Sequence, residues 1–144
     1  MMNSKLTKIF VDILMTVFLL LSFVRWDTDN FAFHAIVGIG CTLFFGLHIF
    51  IHRKWIAAMT KSCFAGKLNP ALKWKFFVNI LLLVLWSISI VTGFIAIGPF
   101  LNAPEGVSVL GSLHGVTARI GVVFVVIHVI QHLPQIKSYL GIKI

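Results

Sequence analysis

The stretch Phe33–Arg53, FHAIVGIGCTLFFGLHIFIHR, is apolar enough to sit in lipid, yet it carries His34, His48 and His52. An ionisable side chain inside a lipid-spanning helix is costly and marks a functional position. A second stretch, HGVTARIGVVFVVIHVIQH, returns all three histidines 80 positions later: 34 becomes 114, 48 becomes 128 and 52 becomes 132. The chain has no other histidine. Leu47-His48-x-x-x-His52 recurs as Ile127-His128-x-x-x-His132. The repeat predicts two helices that face each other and share cofactors held by paired imidazoles.

The rest of the chain fits that setting. Its 144 residues make one domain by length, residues 1–144. A content of 59% hydrophobic and 11% charged residues excludes an ordinary soluble domain. Crossing the hydrocarbon core takes about 20 apolar residues in a helix. Four stretches qualify, about 9–24, 31–51, 76–100 and 107–133. The expected fold is an all-α membrane protein, a four-helix transmembrane bundle. The first stretch is short and contains Asp12. Arg25-Trp26-Asp27 follows it where a signal peptide would have small residues for cleavage, so it reads as a retained helix.

The net charge of +8 is arranged as topology and gives no support to nucleic-acid binding. Lys5 and Lys8 precede the first stretch; Arg53, Lys54, Lys61, Lys67, Lys73 and Lys75 lie between the second and third; Lys137 and Lys143 follow the fourth. The other two connections carry Asp27, Asp29 and Glu105, with Arg25 their only base. Basic loops stay in the cytoplasm, so both termini are expected inside. The segment from Lys54 to Lys75 reads as the longest connection, a basic loop on anionic headgroups with a short amphipathic helix near Trp55–Met59. Leu133-Pro134 marks the expected end of the fourth helix. Cys41 in mid-membrane and Cys63 in the cytoplasmic segment are not expected to meet, and no C-x-x-C-H motif is present.

In this topology the second and fourth helices run in the same direction, so residues at equal offsets share a depth. His34 then pairs with His114 toward the outside, and His48 with His128 toward the cytoplasm. The two ligands on each helix are 14 residues apart, a rise of roughly 21 Å with only about 40° of drift around the helix. Two stacked bis-imidazole sites are therefore expected, and imidazole is a standard axial ligand of haem iron. Small residues leave room for a porphyrin: Gly38 and Ala118 four residues after the outer ligands, Cys41 and Gly121 between the ligands. Phe44 and Phe124, four residues before the inner ligands, are placed to pack against the macrocycle. A single membrane histidine is commonly just an interhelical hydrogen bond, and small residues also serve plain helix packing. A zinc ion would ask for clustered ligands, whereas the two histidine pairs lie far apart along the axis.

His52 and His132 lie one turn beyond the inner ligands. As ligands they would put the inner haem at the level of Arg53 and Lys54, so His48 and His128 are preferred. His52 and His132 are left to bond haem propionates or a quinone carbonyl, or to remain solvated at the interface. Arg119 is the one base expected inside the membrane, and a propionate of the outer haem is its expected partner. Asp12 reads as a headgroup-level residue paired with a lysine, or as a proton-uptake group for a quinone. The third stretch has no histidine and reads as scaffold, with Ser89 and Gly93 allowing close packing.

The run Leu47-His48-Ile49-Phe50-Ile51-His52-Arg53-Lys54-Trp55-Ile56, then Lys73-Trp74-Lys75-x-x-Val78-Asn79-Ile80-Leu81, Leu113-His114-Gly115 and Ile127-His128 resembles the flavinylation-associated cytochrome family. The resemblance covers nearly the whole chain, and its motifs are mainly histidine positions in apolar context. It departs at Leu133-Pro134, where the first repeat has Arg53-Lys54-Trp55. The resemblance implies a small multi-pass protein of a prokaryotic cytoplasmic membrane, with two b haems and a link to an extracytoplasmic flavoprotein. The histidine-pair arrangement is also similar to cytochrome b of quinol–cytochrome c oxidoreductases. The expected function is transmembrane electron transfer between the quinone pool and an extracytoplasmic redox partner, a flavoprotein or a cytochrome. The chain would act as an electron-transfer protein or as the membrane subunit of an oxidoreductase. The other readings are a small transporter using intramembrane histidines and a stand-alone quinone or ferric reductase. The oligomeric state, a homo-oligomer included, is left open by the sequence.

Overall fold

The structure, a computed structural model, describes residues 4–24, 31–102 and 109–139. Arg25, Trp26, Asp27, Asp29, Glu105 and Lys143, which enter the reading of the loops and termini, lie outside the described residues. The described chain forms four helices: α1 (Ser4–Ser22), α2 (Phe31–Phe64), α3 (Pro70–Asn102) and α4 (Val109–Tyr139). The helices at Phe31–Phe64, Pro70–Ile97 and Val109–Ser138 are long and apolar enough to cross a membrane. α1 is not among them; its 19 residues include Lys5, Lys8 and Asp12.

Helix boundaries differ from the apolar stretches because helicity does not need apolarity. α1 begins at Ser4, before Lys5 and Lys8 and five residues ahead of the expected apolar stretch. The expected loop from Lys54 to Lys75 is largely helical: α2 continues through Lys54-Trp55-Ile56-Ala57-Ala58-Met59, which includes good helix formers and no breaker. It stops where the backbone can turn. Gly66 takes φ +68°, its N–H donates to the Cys63 carbonyl, and the Lys67 N–H donates to the Ser62 carbonyl, the paired bonds of a Schellman cap. α3 starts at Pro70, four residues after Gly66. The Asn69 side chain accepts from the Leu72 N–H at 2.9 Å, and Pro70 occupies the first helical position, where a missing N–H costs nothing. α4 also runs past its expected end, with Pro134 inside the helix. Proline removes one backbone bond and bends a helix, and the residues after it, Gln135 to Tyr139, resume the helical path.

The chain divides into two compact units, Met1–Ala58 and Met59–Ile144. In the first, α1 and α2 run antiparallel. Asp12 meets His48, and further along α1 the Phe18 ring lies 5.3 Å from the Phe44 ring, tilted 31°, and over Gly40. Val11, Leu19, Val37 and Cys41 are buried. In the second unit α3 packs along α4, also antiparallel: Asn79, Trp86 and Gly93 meet His128, Gly121 and His114 in turn. Val78 and Ser89 are fully buried there, and Thr92 and Thr117 are buried with them. These threonines return their hydroxyls to carbonyls three and four residues back, which satisfies them without a solvent. Large apolar side chains such as Ile36, Leu43, Phe50, Phe94, Val123 and Ile130 point outward in both units. That surface is consistent with a membrane protein.

Candidate functional site

Three of the four expected ligand histidines have one ring nitrogen committed to an oxygen. His114 Nδ1 lies 2.7 Å from the Ser89 backbone carbonyl. A carbonyl only accepts, so Nδ1 carries the proton. His48 Nδ1 lies 2.7 Å from Asp12 Oδ1, again as donor to an acceptor. His128 Nδ1 lies 2.6 Å from Asn79 Oδ1. In each ring the proton is held on Nδ1, so the lone pair of the neutral imidazole lies on Nε2. Metal-ligating histidines are typically fixed this way, by a carboxylate or carbonyl on the far nitrogen.

Each acceptor comes from the antiparallel neighbour in the same unit, α1 for His48 and α3 for His114 and His128. α3, expected as scaffold, therefore supplies orienting groups. Ser89 and Gly93 have specific jobs beyond close packing. Ser89 gives the acceptor for His114, and a Cβ on Gly93 would lie 2.8 Å from His114 Nδ1 and 3.0 Å from Cε1. Gly93 thus makes the space in which that ring sits. Asn79 stood in the quoted run without a role assigned to it. The one signal for it in the sequence is a carboxamide inside an otherwise apolar stretch. Asp12 gave the same kind of signal, as the sole acid in α1.

His52 and His132 lie against the rings of the expected inner ligands, one turn along the same helix. The His48 and His52 rings are 4.6 Å apart and tilted 44°; the His128 and His132 rings are 4.6 Å apart and tilted 42°. Asp12, His48 and His52 together place one ligand atom each within 4.8 Å of the others, a group that could hold a metal ion. Between His128 and His132, the Gln131 side chain has neither Nε2 nor Oε1 hydrogen-bonded among the described residues, although both atoms are buried. His34 is half-buried on α2.

The expected packing residues take varied places. A Cβ at Gly38 or Gly115 would meet nothing within 4 Å among the described residues. Gly121 is buried beneath the Trp86 indole, 3.5 Å from where its Cβ would be. Phe44 packs on Phe18, Cys41 is buried, and Ala118 and Phe124 are half-buried. Arg119 is exposed on α4 and makes no hydrogen bond or ion pair with the described residues. A scan against protein-family models, a search of curated proteins and a search of solved structures each find no match.

Proposed function

We propose that this chain is a di-haem b-type membrane cytochrome that carries electrons between the quinone pool and an extracytoplasmic redox partner. The observation that carries the reading is the committed Nδ1 of His48, His114 and His128. In each of these imidazoles the proton is fixed on Nδ1, the tautomer in which an iron ligand would offer Nε2. The donor set also fits: four histidines that recur at one 80-residue offset and no cysteine motif for another cofactor. His34 and His114 would hold one haem, and His48 and His128 the other. Bound haem would supply one-electron ferric–ferrous chemistry.

The chain's residues supply the rest. Asp12, Asn79 and the Ser89 carbonyl keep the imidazole protons on Nδ1. Apolar α2 and α4 exclude water. Arg119 is assigned to a propionate of the outer haem, and His52 and His132 to a propionate or a quinone carbonyl. In this reading α1 is the fourth span. Its acid is matched by His48 rather than left alone in lipid. Both termini are cytoplasmic, in keeping with Lys8 before α1's apolar run and the basic α2–α3 connection. The resemblance to flavinylation-associated cytochromes favours a prokaryotic inner membrane and a flavoprotein partner.

Four single variants test the ligand assignment. His34→Ala and His114→Ala should each remove one haem, and His48→Ala and His128→Ala the other. Haem loss in His52→Ala with none in His48→Ala would move the ligand by one turn. A second reading has its own observation, the Asp12–His48–His52 group. As a metal transporter the protein would be colourless and would hold a divalent ion that His52→Ala releases.

A further inference from the structure

The two units hold their inner histidines alike but with unlike acceptors. In both, the ring lies 4.6 Å from that of the histidine one turn later, tilted 44° in one and 42° in the other. In both, Nδ1 meets a side-chain oxygen of the preceding antiparallel helix, at 2.7 Å in one and 2.6 Å in the other. The acceptor is Asp12 in the first unit and Asn79 in the second. Aspartate and asparagine have nearly the same shape and differ by one negative charge. The contrast between the sites is thus electrostatic.

We propose that Asp12 is a potential-setting residue. Its carboxylate, bonded to His48 Nδ1, makes the iron held by His48 harder to reduce than an amide acceptor would. The inference rests on the haem reading above. A hydrogen bond to a carboxylate is charge-assisted and stronger than one to a neutral carbonyl. It draws the Nδ1 proton toward oxygen and moves electron density onto Nε2, which raises ligand basicity. A more basic ligand, with a negative charge behind it, favours the ferric state. Reduction adds one electron, from the quinol or from a titration mediator. No bond forms or breaks, and the proton stays on Nδ1. Lys8 lies one turn earlier on α1, and His48 and His52 face Asp12 from α2. The hydrogen bond that the Asp12 carboxylate accepts among the described residues is the one from His48.

The test is an optical redox titration of the full purified chain at one fixed pH, with haem counted by pyridine haemochrome. Asp12→Asn should keep two haems and raise one midpoint. The ferric-to-ferrous ratio at fixed ambient potential should fall about tenfold, equivalent to ~59 mV for one electron. Asn79→Asp should shift a midpoint by a similar amount in the opposite direction, and Asp12→Glu should stay near the parent. Both variants should move the same haem if His48 and His128 share an iron; movement of different haems would break that pairing and leave the role of Asp12 standing. If Asp12→Asn loses its haem, Asn79→Asp decides alone. Two retained haems with unmoved midpoints overturn the inference. So does haem loss in both variants, since the acceptors would then only hold the ligands in place. A colourless parent protein would instead remove the haem reading itself.

Discussion

At the scale of single residues, what matters most is which nitrogen of each imidazole is already taken. The Asn79 carboxamide accepts from His128, and deleting that acceptor leaves the ring free to turn. Asn79→Leu should weaken haem retention about 10- to 100-fold, the usual cost of losing an outer-shell partner, read by haem loss to apomyoglobin. Gly93 offers a steric counterpart. The His114 ring is tied to the Ser89 carbonyl and has little freedom to move away from an added methyl at 2.8 Å. Gly93→Ala should therefore cost one haem, whereas Gly115→Ala, with nothing within 4 Å of the new methyl, should keep both. Arg119 acts by charge. A positive group beside the outer haem stabilises its reduced state, so Arg119→Gln should lower that midpoint and leave the other nearly unmoved. An unchanged outer midpoint with full haem would assign Arg119 to the headgroups. The histidines themselves were legible in the sequence because an 80-residue offset repeats them. Their acceptors were not legible as such. Asp12, Asn79 and Ser89 belong to other helices, and only the antiparallel register tells which histidine each one meets.

At the scale of elements, the apolar content of α2, α3 and α4 was readable and their ends were not. Hydropathy reports where lipid could lie, and a helix stops for a different reason. α2 passes Arg53 and Lys54 without a break because lysine, tryptophan and alanine all tolerate helix. It is roughly 51 Å long, well beyond the ~30 Å hydrocarbon core. Its basic last turns therefore reach past any lipid its apolar part occupies. The stop is set by Gly66 in the left-handed region and by the Asn69-Pro70 start of α3. Gly66→Ala should destabilise this corner by about 1 kcal/mol, because an L side chain is strained at φ +68°. Thermal unfolding in detergent would show the loss, while the haem count should not change. Pro134 carries the opposite lesson: a proline expected to end α4 lies within it.

At the scale of the whole molecule, each unit is an antiparallel helix pair in which one helix carries the histidines and the other orients them. The sequence repeat at 48 and 52 has a structural counterpart in the tilted ring pairs of the two units and in the side-chain oxygen that each unit places on Nδ1 of His48 or His128. In the proposed haem reading, the Asp12 charge lowers the potential of the iron held by His48, and the Arg119 charge raises that of the other haem. All of this depends on haem being the group that the imidazoles hold. The most direct measurement is the absorption spectrum of the purified protein before and after dithionite, with a pyridine haemochrome count. Sharp α and β bands of low-spin b haem, at about two haems per chain, are the expected result. A folded, colourless protein would contradict it.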